Sequence, residues 1–220
     1  MRKLKDIQKA LIIFLKYPEP GKVKTRLAAG TGEKFALKFY RLCIDNLICE
    51  VRIIKDTAIY IFYAGAEEKE FTGWIGGGFN YIRQNGNDLG GKMASAFKSV
   101  LEKHKKAIIT GSDIPDLNAE IINEAFSKLK THDFVIGPSS DGGYYLLGMK
   151  NFSPFLFNEI KWSTSAVFED TIVRMKHSGK TFSVLEKIDD IDTKEDLYNW
   201  LKRGKNISLI NDTNVIISKE

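Results

Sequence analysis

The sequence predicts an α/β protein built on a mostly parallel sheet, and three observations carry that prediction. Short apolar runs alternate with longer amphipathic stretches through most of the chain, the rhythm of strands joined by crossover helices. The composition, 43% hydrophobic, 28% charged and 11% aromatic, can supply a buried core and excludes disordered or collagen-like chains. The length of 220 residues suits one large domain, and no repeat, low-complexity tract or linker marks a cut.

Each element has its own signature. Residues 10–16 open with an unbroken apolar run and read as a buried first strand. A Pro/Gly turn follows at 17–21, then a basic segment at 22–26. From about Thr31 a long helix is expected, with Phe35, Phe39, Leu42, Asn46 and Leu47 near helical spacing. Residues 58–63, rich in Ile and Tyr, read as a second strand and 81–83 as a weaker third. A helix is expected after Gly91 to about His104, and residues 106–110 form the strongest later strand. A helix at 119–129, strands at 134–137 and 144–149, a helix at 165–177, a strand at 181–185 and a helix at 194–202 complete the pattern. Residues 1–205 thus read as one domain. Residues 206–220 read as a C-terminal β-like appendage, a hairpin or exchanged arm suited to a homodimer.

Charge is uneven. The net +5 arises from residues 1–26, which alone sum to +6 and leave the rest at −1. Basicity so local suggests a small anionic ligand near the N-terminus rather than a nucleic-acid groove. Cys43 and Cys49, six apart on a helix, point to different faces and support neither a disulfide framework nor a cysteine metal site. The early apolar run is too short for a signal-peptide core, and nothing approaches the ~20 apolar residues of a membrane span. A cytoplasmic protein is expected.

Four motifs can carry chemistry. The first, Lys16 to Leu27, follows the first strand and places Lys22, Lys24 and Arg26 at alternate positions behind Pro20 and Gly21. Ligands bind beyond the carboxyl ends of strands in open α/β sheets, so these cations with Thr25 suit phosphates, or form a solvated basic loop. Val23 after Lys22 excludes a P-loop. The second, Gly111-Ser112-Asp113-Ile114-Pro115-Asp116, exposes a carboxylate at a strand end, where Asp113 can hold Mg²⁺ (or Mn²⁺) or an Asp can cap the next turn. The third, Gly137 to Gly148, sets Asp141 before Gly142, Gly143 and Tyr144, fit to face a sugar or acceptor hydroxyl, or to form a plain Asp-Gly turn. The fourth, Asp189-Asp190-Ile191-Asp192-Thr193, combines a helix cap with more carboxylates than a cap uses, which leaves Asp192 for a second metal contact. Weaker signals are Asp88 and Gly90, in a loop feeding a helix, and Trp162, which reads first as a core residue beside a helix cap. His104, His132 and His177 share no metal-ligand spacing, and no Gly-x-Ser-x-Gly elbow is present.

Taken in order over about residues 10–203, these motifs resemble the bacterial glycosyltransferase-like family of the radical-SAM or selenodomain-associated type, within the nucleotide-diphospho-sugar transferase (GT-A) superfamily. Residues 24–28 are also similar to the 2-phospholactate guanylyltransferases, and residues 190–197 to several cytidylyltransferases. The resemblance implies a three-layer α/β/α fold with a mostly parallel mixed sheet of GT-A type. It also implies a nucleotide-binding loop at Pro20, Gly21, Lys22, Lys24, Thr25 and Arg26 joined by Asp88 and Gly90, and a metal at Asp113 and Asp192. Asp113, Asp141 and Lys24 are the expected catalytic residues; Gly142, Gly143, Tyr144 and Trp162 are expected on the acceptor side. One departure is mild: Ser112 stands where many members have Thr before the metal-binding Asp. The expected activity is Mg²⁺-dependent transfer of a sugar from a nucleotide-sugar to a small-molecule acceptor. The alternatives are nucleotidyl transfer from an NTP with release of pyrophosphate, or a non-catalytic nucleotide-binding module.

Overall fold

The computed structural model describes residues 7–218. Seven strands form one sheet in the order β3-β2-β1-β4-β6-β5-β7. They are β1 (Lys9–Lys16), β2 (Thr57–Ala64), β3 (Asn80–Arg83), β4 (Lys106–Thr110), β5 (Phe134–Pro138), β6 (Tyr144–Met149) and β7 (Phe182–Val184). Only β6 runs against its neighbours β4 and β5; every other pair is parallel. The mostly parallel mixed sheet expected from the sequence is thus the one observed.

Alternation along the strands produces the layers. In β1, Leu11, Ile13 and Leu15 face one side, where they pack with Tyr40, Ile44, Leu47 and Val51 of α2 (Glu33–Arg52). Phe71 of α3 (Glu68–Ile75) and Ile122, Phe126 and Leu129 of α5 (Ala119–Thr131) complete that layer. Ala10 and Ile12 face the other side with Met93, Ala96 and Phe97 of α4 (Leu89–Leu101) and Ile172 and Met175 of α6 (Val167–His177). Central strands covered on both faces read as continuous apolar runs, which is why β1 and β4 were so legible.

A third apolar cluster matters most for the site. Leu27 of α1 (Thr25–Thr31) and Phe35, Phe39 and Cys43 of α2 close on Ile191, on Leu197 and Trp200 of α7 (Lys194–Arg203), and on Leu209 of α8 (Ile207–Ile217). This cluster pins the segment preceding α7 against the segment following β1. Trp200 Nε1 also donates to Asp116 Oδ1 at 2.7 Å, and Asn206 Nδ2 donates to Pro115 O at 2.9 Å, so the loop after β4 is tied to the same end of the molecule.

Two expectations are corrected. Residues 207–217 form α8 rather than a β-like arm: Asn206 caps the helix by accepting from Leu209 N, and Leu209 and Thr213 are buried where it packs against α2. The basic segment is not one loop either, because the short helix α1 begins at Thr25, directly after Lys24.

Candidate active site

The strand order fixes where a site can form. From β1 the chain winds outward to β2 and β3, then returns to place β4 on the other side of β1. The carboxyl ends of β1 and β4 therefore flank the point where the winding reverses, the crevice that open α/β sheets use for ligands. Lys24 follows β1 and Asp113 follows β4.

Lys24 sits at the centre. Its backbone is left-handed (φ 48°, ψ 42°), a conformation that few non-glycine residues adopt, and it immediately precedes α1. The turn drives the side chain inward until only 2% of it is exposed. There Lys24 Nζ lies 2.8 Å from Asp113 Oδ2 and 3.1 Å from Asp192 Oδ1. Burial disfavours the ammonium, but Asp113 and Asp192 outweigh it and hold the Lys24 pKa above the ordinary lysine value. Lys24 is thus held here as a charged ammonium. Arg26 Nη2 donates to the other Asp192 oxygen, Oδ2. Thr193 caps α7 with Asp196 in a reciprocal capping box, and Asp196 Oδ2 also accepts from Asp192 N at 3.1 Å. With Thr193 as the cap, the Asp192 side chain is left to face Lys24 and Arg26.

A cavity of about 400 Å³ opens beside this cluster, within the range of small-ligand pockets. Arg26, Asp113, Asp141 and Asp190 are its charged lining residues, and Phe14, Leu89, Met93, Tyr144 and Trp162 are among its apolar and aromatic ones. A second hollow of about 480 Å³ shares Arg26, Asp141 and Asp190 with it and extends to Asp189, Asp192 and Arg203. Asp141 Oδ1 accepts from Ser139 Oγ at 2.5 Å and from Gly143 N at 2.9 Å, so the Asp-Gly turn orients the carboxylate toward both spaces. Asp190 is pushed up to about 6, first by burial and then by the charges of Asp192, Asp113 and Asp141, with Lys24 opposing. Burial, then the nearby Asp113 charge, pushes Tyr40 up to about 12, and its hydroxyl donates to Lys16 O at 3.0 Å. Burial also raises the pKa of Tyr144, so its hydroxyl stays protonated.

The expected residues therefore divide. Lys24, Arg26, Asp113, Asp192 and Asp141 converge, as do Gly143, Tyr144 and Trp162. Lys22 does not line either cavity: its side chain is 63% exposed and pairs with Glu19 at 2.5 Å. Pro20, Gly21 and Thr25 shape the turn and the start of α1 and likewise line neither cavity. Asp88 caps α4 by accepting from Gly91 N at 2.7 Å, and Gly90 packs directly against Trp162. Asp116 is committed to Trp200, and Asp189 to Ser140 N and Arg203. Asp190 and Ser139 were missed as site residues. The visible signal for Asp190 was a carboxylate left over once Thr193 was assigned to the α7 cap and Asp192 to a metal contact.

Whether these residues fit a divalent ion is decided by their donor set. Among the described residues no three His, Cys, Asp or Glu side chains form a group able to hold a metal by themselves. Asp113 and Asp192 are two hard oxygen donors that share one cation, the Lys24 ammonium. That set fits Mg²⁺ or Mn²⁺ in the mode where one or two carboxylates act together with substrate phosphates.

A crystal structure from Desulfovibrio desulfuricans G20 bearing the name of a nucleotide-diphospho-sugar transferase is 30% identical to this chain. It superposes with a TM-score of 0.89 over 96% of this chain and 97% of that one. The fold is thus that of the nucleotide-diphospho-sugar transferases. The chain belongs to the family described as "Uncharacterized protein conserved in bacteria (DUF2064)", which matches residues 48–164. A 4-diphosphocytidyl-2C-methyl-D-erythritol synthase from Anaerococcus prevotii DSM 20548 (13% identical, TM-score 0.59, 91% of this chain and 97% of that one) has the same fold. So does a cytidylyltransferase from Leptospira borgpetersenii (13% identical, TM-score 0.50, 97% and 98%). No curated protein matches the chain.

Proposed function

We propose that this protein is a nucleotide-dependent transferase that moves a sugar from a nucleotide-sugar to a small-molecule acceptor in the cavity at the carboxyl ends of β1 and β4. The observation that carries this reading is the Lys24 ammonium held between Asp113 and Asp192 where the winding reverses, with Arg26 alongside. In this reading Arg26, which lines the cavity, and the field of the buried Lys24 ammonium behind it oppose the negative charge that grows on the departing nucleoside diphosphate. Asp113 and Asp192 would hold Mg²⁺ or Mn²⁺ against the donor phosphates. When bound, the ion would supply further neutralisation of the leaving group. Asp141, oriented by Ser139 and Gly143, would take the proton of the acceptor hydroxyl, with Gly143 and Tyr144 bordering that side; Gly142 packs against Ser165 and lines neither cavity.

The names of the similar transferases support a nucleotide donor in general. Sugar transfer is favoured over nucleotidyl transfer by the distribution of cations. Of Lys22, Lys24 and Arg26, only Arg26 lines the cavity, which suits a diphosphate better than a longer triphosphate.

Incubation with Mg²⁺, nucleotide-sugars and NTPs, followed by assay of the released phosphate product, tests the reading. Nucleoside diphosphate is expected. Pyrophosphate would mean nucleotidyl transfer, and tight binding with neither product would mean a binding module. Asp113→Asn should abolish the Mg²⁺-dependent part of nucleotide affinity; unchanged affinity in calorimetry would overturn the metal assignment.

A further inference from the structure

Trp162 differs from the other two tryptophans of the chain. Trp74 Nε1 donates to Asp45 Oδ1 at 2.9 Å and Trp200 Nε1 to Asp116 Oδ1 at 2.7 Å. Among the described residues, Trp162 Nε1 has no acceptor, and the indole, only partly buried, forms a wall of the 400 Å³ cavity. Buried indoles ordinarily find a partner for the N–H, so one placed without a partner at a cavity wall is suited to a ligand.

The backbone holds it there under constraint. Trp162 lies between Glu159 (φ 53°) and Ser163 (φ 63°), two non-glycine residues in left-handed conformation within five positions. Such geometry persists only where the surroundings impose it, and it clusters at functional sites. The opposing surface is built to receive the ring: a Cβ on Gly90 would lie 2.2 Å from Trp162 Nε1 and 2.4 Å from its Cε2, so only glycine lets the indole lie on the first turn of α4. Next to it, Leu89 is 46% exposed, a large apolar side chain left open at the cavity mouth.

These contacts set Trp162 against the first turn of α4, in the cavity that Gly143 and Tyr144 also line. The residue it rests on, Gly90, belongs to the loop read from the sequence as nucleotide-binding. Arg26 and Asp113, where donor phosphates are proposed to lie, line the same cavity. We propose that Trp162 is the stacking platform for the donor nucleobase, with Leu89 flanking the ring and the phosphates directed toward Arg26. The inference rests on the nucleotide-transferase reading and adds to it the residue that grips the base. Every base has a π face, so a platform of this kind gives affinity with little discrimination among bases.

Titrating the full-length protein with UDP, CDP, GDP and ADP in the presence of Mg²⁺, by calorimetry and tryptophan emission in parallel, tests this. Saturable emission quenching is expected in the wild type and should vanish in Trp162→Phe, which keeps a ring and should keep most of the affinity. Trp162→Ala should weaken nucleotide affinity about tenfold. Gly90→Ala, which displaces the indole without removing it, should act in the same direction while circular dichroism remains that of the wild type. Unchanged affinity in Trp162→Ala, or equal quenching in wild type and Trp162→Phe, overturns the assignment while leaving the transferase reading intact. Quenching of Trp162 by sugar phosphates but not by bound nucleotides places an acceptor ring there and also overturns it. A wild type that binds no nucleoside diphosphate overturns both.

Discussion

At the residue scale, the decisive side chain is Lys24. A buried lysine is ordinarily a liability, since desolvation favours its neutral form, yet two carboxylates within 3.1 Å keep this one charged. Removing one partner of such a group leaves the others unneutralised. Lys24→Met should destabilise the protein by on the order of 2 kcal/mol, less than for a fully buried pair because Asp113 and Asp192 retain contact with water. Urea denaturation measures it, and an effect below a few tenths of a kcal/mol would mean that the ammonium is not what holds the two carboxylates together. The sequence singled out Lys24, Arg26, Asp113, Asp141 and Asp192 because residue type and position after a strand are local properties. It could not separate Lys22 from its neighbours. Lys22 and Lys24 look alike in a list, and only the left-handed turn at Lys24 sends one side chain inward while Lys22 stays beside Glu19.

At the scale of elements, α7 links stability to the site. Thr193 Oγ1 accepts from Asp196 N at 3.1 Å while Asp196 Oδ2 accepts from Thr193 N at 2.7 Å, and the same carboxylate holds the Asp192 backbone. Thr193→Ala should cost about 1 kcal/mol, the usual worth of an N-cap, as read by chemical denaturation. It should also weaken nucleotide binding, since the Asp192 backbone loses part of its support; a stability loss with no change in binding would separate the cap from the site. The misread element is α8. Residues 207–217 contain four isoleucines and a valine, which favour strands by propensity, and no local signal outweighs that. The outcome was set by packing: Gly204 turns the chain left-handed after α7, Asn206 caps the new helix, and Leu209 and Thr213 find burial on the side toward α2.

At the scale of the whole molecule, the site is a meeting of charges from four separate loops. Asp113, Asp141, Asp190 and Asp192 come together around a single buried ammonium and one guanidinium. Burial first, and then these neighbouring carboxylates, act on Asp190, which is pushed up to about 6 in the folded protein against 3.8 for the ordinary group. Between those two values the native state holds a proton that the unfolded chain has released, so its contribution to stability is complete below about pH 4 and is lost as pH rises through about 6. Asp190→Asn keeps a neutral side chain throughout. In chelator-containing buffer the variant should match the wild type near pH 4 and exceed it by on the order of 1 kcal/mol at pH 7, a figure discounted for partial solvent access. Denaturation curves from pH 4 to 8 check this; a difference independent of pH would show that neither burial nor the acidic cluster shifts Asp190.

The chain's own pattern determined the order of the seven strands, most of the helices though not α1 or α3, the mostly parallel sheet and the loops that carry the chemistry. Apolar periodicity and Gly, Pro and Asp placement act over a few residues and can be read there. Tertiary structure alone decided which cation meets which carboxylate, that Gly90 lies under Trp162, and that the tail is a helix. Lys24 and Asp192 are 168 residues apart in sequence and 3.1 Å apart in space. That distance depends on how strand order and the apolar cluster beneath α7 bring distant loops to one edge, and no local pattern records it.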